Sequence, residues 1–306
     1  MEGRVWTIRD ALEWMTRHFE RVGVDVPRRS AEWLLSAATS LSRVELYAHF
    51  DRPLSETERT ALRDSIKRRA AGEPLQYVTG EMPFRHIVVH VVPGVFIPRP
   101  ETEVLVDECL KLLNGVESPV VLDICTGSGC IACAIASEHP QATVVATDVS
   151  EIAVVTAEKN AARIGVAERV SVVCGDLFAP VVAELRGTVH VVAANPPYIP
   201  TANLASLPLE VSGHEPAAAL DGGADGLGIA RRIATDALEW LTPTGACVME
   251  LDETCVRRAA EMVGEWYLEV EVVSDLVGRD RVLVAKAPRQ TVRPGQSYST
   301  NGGGSQ

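Results

Sequence analysis

The chain has 306 residues, 46% of them hydrophobic, and a formal net charge of −12. That size and apolar content suit one large and one small domain, while the acidic balance argues against bare DNA, whose phosphates ask for a basic face. No apolar run approaches the ~20 residues that cross a bilayer, the start Met1-Glu2-Gly3-Arg4 has no signal-peptide core, and seven unpatterned cysteines predict a reducing, cytoplasmic setting.

Residues 1–80 read as a helical domain. Ile8, Leu12, Met15 and Phe19 recur at spacings of three and four, predicting a helix over 6–21. Pro27 breaks the chain, and Ser30 is placed to cap a segment from Ala31 to Ala38. Ser55-Glu56-Thr57-Glu58 reads as the capped start of a helix that runs to Ala71 and ends at Gly72 and Pro74. Arg63, Lys67, Arg68 and Arg69 on that helix read as a solvated face, with a docking surface for a protein as the alternative. Residues 81–97 read as a hairpin linker, in which Pro93-Gly94 separates Ile87-Val88-Val89 and Val91-Val92 from Val95-Phe96-Ile97.

Beyond Pro100 the pattern alternates helix and strand, as in an α/β domain with a parallel sheet. Val120 to Ile124, with Asp123 inside it, reads as a buried strand, and Cys125-Thr126-Gly127-Ser128-Gly129 follows directly. Cys130 to Ala136 then reads as a helix. A strand, a Gly-rich turn and a helix N-terminus form a nucleotide-cofactor loop, because glycines admit close approach and N–H groups point outward. No Gly-Lys-Ser/Thr closes the loop, so a P-loop is excluded. Cys125, Cys130 and Cys133 share an iron–sulfur spacing, yet the latter two fall in a helical Ala/Ile run and read as small core residues. No zinc-type motif appears among the histidines, and no metal is expected.

The next strand, Ala142 to Thr147, ends at Asp148, placed for the hydroxyls of a ribose. A third, Val170 to Val173, leads to Asp176 and Leu177, where a carboxylate meets an adenine amino group and an apolar chain flanks its ring. The fourth, Val189 to Ala194, ends in Asn195-Pro196-Pro197-Tyr198. Two prolines stiffen this corner and remove two N–H donors. The Asn195 side-chain oxygen and the Pro196 carbonyl can accept both N–H bonds of a planar NH2 group while the Tyr198 ring covers its face. Adenosine without a required phosphate, followed by an amide slot, points to S-adenosylmethionine. Near the end, strands at 268–273 and 282–285 are joined by too few residues for a crossover helix, so they should pair antiparallel. Residues 287–306, rich in Gly, Ser, Gln and Thr, read as a disordered tail.

From about residue 8 to about residue 286 the chain resembles the release-factor glutamine methyltransferases. The resemblance rests on Arg68 to Gly80, Phe96-Ile97-Pro98-Arg99-Pro100-Glu101-Thr102-Glu103, Asp123 to Gly129, Asn195 to Tyr198, and Glu215-Pro216 with Ala219-Leu220. It implies a seven-stranded Rossmann-like sheet over residues 98–286 with a C-terminal antiparallel hairpin, S-adenosylmethionine as methyl donor, and a release factor as protein partner of a monomeric enzyme. It also implies that the helical domain recognises that partner and that Arg99 and Glu101 line the substrate pocket, an interdomain salt bridge being the alternative. The chain departs from the family at Cys125 (usually Gly), at Leu177 (often aromatic), at His86 and around Asp252. An N6-adenine methyltransferase, a small-molecule methyltransferase and a non-catalytic adaptor are the competing readings.

Overall fold

A computed structural model describes residues 5–289. The chain opens with α1 (Ile8–Arg21), α2 (Pro27–Thr39), α3 (Arg43–Ala48), α4 (Glu56–Ala70) and α5 (Leu75–Thr79). Thr7, Ser42 and Ser55 each close a capping box with Asp10, Glu45 and Glu58, which satisfies N–H groups that a helix start leaves free. α2 starts on Pro27 itself, because proline lacks only a donor that the first turn cannot use. Ser30 is consequently buried inside α2 and is not the cap that its place before Ala31 suggests. Ile8, Leu12, Met15 and Phe19 face a core shared with Leu34, Leu35 and Leu62.

The basic run of α4 is not a uniform solvated face. Arg68 donates to the Glu73 carboxylate at 2.8 Å and to the Tyr77 carbonyl at 2.9 Å. Arg69 is buried, donating to the Glu73 carbonyl at 2.9 Å and pairing with Glu210 at 3.0 Å. Arg63 and Lys67 alone of the four stay solvated without a strong partner.

β1 (Glu81–Phe84) and β2 (Ile87–His90) pair antiparallel with Phe84 opposite Ile87, so the hairpin turns at Arg85-His86 and not at Pro93-Gly94. Arg85 takes a left-handed φ of 51° there, held by bonds to Glu138 at 2.6 and 2.8 Å and to Asp107 at 2.7 Å. Val95 to Ile97 forms no strand; its buried residues pack as loop, and the Tyr77 hydroxyl donates to the Val95 carbonyl at 2.6 Å.

The rest of the chain runs α6 (Thr102–Leu113), β3 (Val120–Ile124), α7 (Cys130–Glu138), β4 (Thr143–Asp148), α8 (Glu151–Ile164), β5 (Val170–Cys174), β6 (Val189–Ala194), α9 (Leu209–Ser212), α10 (Gly228–Asp236), β7 (Leu241–Glu250), α11 (Val256–Val263), β8 (Tyr267–Ser274) and β9 (Asp280–Pro288). The sheet has seven strands in the order β5-β4-β3-β6-β7-β9-β8. β3 to β7 are parallel, and β9 lies antiparallel between β7 and β8. Val121, Val191 and Val248 point to one buried face, and Leu122, Val192 and Met249 to the other, so helices cover both sides. β9 extends to Pro288, past residue 286, because Tyr267 still pairs with Pro288. The rest of the expected tail, 290–306, lies outside the described residues. Among the described residues no helix is long and apolar enough to cross a membrane.

Arg85 joins the hairpin to α6 through the exposed Asp107 and to α7 through the partly buried Glu138. Arg85→Ala should lower stability by about 3 kcal/mol, since Glu138 loses its partner; the urea unfolding midpoint measures it.

Candidate active site

β3 and β6 run side by side with Ile124 opposite Ala194, so Cys125 and Asn195 leave the sheet together at its carboxyl edge. Strand order reverses at this point, the usual position for a ligand crevice. Asp123 builds the loop from beneath: its Oδ2 accepts from the Thr126 hydroxyl at 2.5 Å and from the Ala132 N–H at 3.1 Å. The second bond satisfies an orphan donor in the first turn of α7. Gly129 caps that helix with φ of 77°, and a Cβ there would lie 2.8 Å from the Ala157 Cβ, so only glycine fits. Asn160, fully buried in α8, accepts from the His90 N–H at 2.7 Å and donates to the Ser128 carbonyl at 2.8 Å, tying the hairpin to the loop.

Cys125, Thr126, Gly127 and Ser128 line a cavity together with Asp148, Asp176, Leu177, Asn195 and Pro197. Asp123 and Gly129 do not line it; both support the loop from behind. Gly127 donates its N–H to Asp148 Oδ2 at 2.8 Å, and Ser150 donates to Oδ1 at 2.9 Å. Burial pushes the Asp148 carboxyl up from the usual carboxylate range, and those backbone bonds oppose the rise. Burial also raises Asp123 to about 7, against its bonds to Thr126 and Ala132. Asp176 is exposed and bonds Arg232 at 2.6 Å. Leu177 adopts φ of 48°, its carbonyl held by the Thr147 hydroxyl at 2.8 Å. Among the described residues no Lys, Arg or His lines this cavity, whereas Asp148, Asp176 and Asp221 do. Such carboxylate-bearing walls suit an uncharged or cationic nucleoside better than a polyphosphate.

A second cavity is lined by Arg99, Glu101, Asn195, Pro196, Tyr198 and Glu250, among others. Phe96, Asn195 and Ala219 are walls of both cavities. Asn195 Nδ2 donates to the Thr102 hydroxyl at 3.2 Å, which leaves the carbonyl end for a ligand. Arg99 pairs with Glu215 and lies 4.7 Å from the Phe96 ring centre; Glu101 accepts from Arg279 at 2.7 Å. Both line the cavity and both form ion pairs, but neither pair reaches the helical domain. Burial and the charge of Glu250 hold the Tyr198 hydroxyl well above its usual range.

Sequence reasoning missed three contributors. Thr102 and Glu250 lie beside Asn195, and a carboxylate ending an apolar strand, as at Glu250, was the available signal. Gly222 backs the proline corner: its N–H donates to the Ile199 carbonyl at 2.8 Å, and a Cβ would come 2.7 Å from the Tyr198 Cα. Cys130 and Cys133 are buried in α7 among core residues.

The sheet order and the crevice at its switch point define a Rossmann-like fold, and the sequence matches make it a methyltransferase. Residues 10–80 match the PrmC N-terminal domain, and residues 88–206 match the methyltransferase small domain. The release factor glutamine methyltransferase of Geobacter sulfurreducens is 45% identical over 81% of this chain and 84% of its own length. That of Moorella thermoacetica is 42% identical over 91% of this chain and 98% of its own length. The chain belongs to the release factor glutamine methyltransferase family. Among solved structures, the hMettl16 catalytic domain in complex with an RNA hairpin shares the fold, with a TM-score of 0.53 at 16% identity over 80% of this chain and 87% of that one.

Cys125 holds φ of 63° where a side chain is strained. Cys125→Gly should leave stability within about 1 kcal/mol, because relief of strain offsets glycine's extra unfolded-state entropy. Cys125→Val should cost about 2 kcal/mol. Urea unfolding curves of the two variants give the comparison.

Proposed function

We propose that the chain transfers a methyl group from S-adenosylmethionine to the side-chain amide nitrogen of a glutamine in a peptide chain release factor. The observation that carries this reading is that Asn195, a shared wall of both cavities alongside Phe96 and Ala219, is the polar one of the three. A donor in the first cavity and a carboxamide in the second would meet there. The first cavity fits the donor: Asp148 can accept from ribose hydroxyls, Asp176 from an adenine amino group, and Leu177 gives the ring an apolar neighbour. Asp123 and Gly129 serve that site indirectly, by shaping the loop. Bound S-adenosylmethionine supplies a methyl carbon made electrophilic by its sulfonium.

The protein's own task is alignment, because an amide nitrogen has its lone pair delocalised into the carbonyl. Asn195 Oδ1 and the Pro196 carbonyl accept the two N–H bonds and aim the nitrogen. Pro197 keeps the corner stiff, and Tyr198 covers the amide face. Such orientation contributes on the order of several kcal/mol. The same two acceptors stabilise positive charge as it develops on nitrogen. No side chain is assigned as a base; the proton leaves after transfer. Arg99 and Glu101 border the entering glutamine. Residues 1–80 receive the protein substrate, 81–97 link, and 98–286 carry the chemistry, in a monomer acting in the cytoplasm.

Asn195→Ala should reduce methyl transfer by at least about 10²-fold with donor binding nearly retained; mass spectrometry of a release factor incubated with enzyme and labelled donor reads the first, calorimetry the second. Equal loss of both would remove the amide clamp. Asp148→Ala should weaken donor binding at least about tenfold, the loss of hydrogen bonds to a charged group, and unchanged calorimetric affinity would remove the ribose assignment.

A further inference from the structure

Asn195 serves as an acceptor only if its amide is held one way round. Turned by half a rotation, the side chain would present NH2 to the cavity and meet the N–H bonds of a carboxamide donor to donor. Something in the protein must choose between the two orientations.

Thr102, the first residue of α6, is 1% exposed and takes the Asn195 Nδ2 hydrogen bond at 3.2 Å. A hydroxyl that accepts from an amide keeps its own hydrogen for another acceptor. Glu250, the last residue of β7, is 2% exposed, and its Oε2 is buried without a hydrogen-bond partner. Burial pushes its carboxyl up to about 7; donors on Thr102 and Asn195 and the charge of Arg281 oppose this, and the charge of Glu101 adds to it. Tyr198 and Cys130 also feel its charge, and Asp252 follows two positions on, paired with Arg281 at 2.9 Å. Thr102, Asn195 and Glu250 thus form one cluster from three elements, α6, the corner after β6, and the end of β7.

We propose that Glu250 and Thr102 are positioning residues that lock the Asn195 amide with NH2 toward the protein and the carbonyl into the shared cavity. An ionised carboxylate only accepts, so the Thr102 hydroxyl and the Asn195 NH2, the donors beside it, turn toward it. The Asn195 carbonyl is left facing the other way. When Glu250 is protonated it becomes a donor, and the choice between the two amide orientations is lost. The proposal rests on the reading of Asn195 as the amide acceptor.

The test is steady-state kinetics with a release factor, with calorimetry of S-adenosylmethionine binding and a thermal melt for each full-length variant. Thr102→Val should lower kcat about 10- to 100-fold, the effect of a misaligned nucleophile, a larger loss than any change in donor affinity, although Thr102 also borders the first cavity. Thr102→Ser should restore kcat. Glu250→Gln should lose kcat to a similar degree, and the double variant should lose no more than the worse single one, as expected of residues in one chain. The kcat of the unaltered enzyme should fall as pH drops through about 7, and Glu250→Gln should lack that limb. Full activity in Thr102→Val, failure of Thr102→Ser to rescue, or additive losses would overturn the positioning role. An unaltered enzyme that binds the donor but leaves the release factor unmodified would instead strike the function proposed above.

Discussion

The parallel pairing of β3 with β6 is the constraint on which the site depends. Ile124 and Ala194 are opposite one another, so the next residues on each strand emerge as neighbours. One continues into the Gly-rich loop and the other into the proline corner. A register slip of one residue would invert the faces of either strand and bury the corner's polar groups. The alternating apolar residues of both strands, packed on two separate cores, hold the register. The chemistry therefore inherits its geometry from ordinary sheet packing.

Charge in this region is arranged around that junction. The first cavity carries carboxylates and no basic side chain, while the second has Arg99 and Arg281 held by Glu215 and Asp252. Burial penalises the charge of two carboxyls, Asp123 and Glu250, and pushes each up to about 7. Each ends or nearly ends a strand; Asp123 lies behind the loop that lines the first cavity, and Glu250 is itself a wall of the second. A cationic ligand between them would favour their ionised forms, since an opposite charge stabilises a carboxylate.

The helical unit is fastened by side chains that look like surface charge in the sequence. Arg69 ends buried against Glu73 and Glu210, and Arg85 bridges the hairpin to α6 and α7. In both cases a guanidinium fork satisfies carbonyls and carboxylates from distant segments, which a single point charge would do less well. The helical domain is thereby joined to α9, which borders the second cavity.

Much was legible in the sequence because it depends on local chemistry. The capping boxes at Ser55 and the strand Val189–Ala194 follow from neighbours within a few residues, as does the loop after Ile124. The same holds for the antiparallel end of the sheet, since its connection is too short for a helix. Asn195 and the Pro-Pro corner stood out for their unusual donor and acceptor balance. Tertiary structure alone decided what depends on distant partners. Arg85 takes the hairpin turn because Glu138 and Asp107 wait for its side chain, so Pro93-Gly94, the stronger local turn signal, loses. Arg69 is buried because Glu210 meets it, and Thr102 and Glu250 gather at Asn195 only once the sheet has formed. Periodicity and turn chemistry are written along the chain; which charge meets which is settled by packing across it.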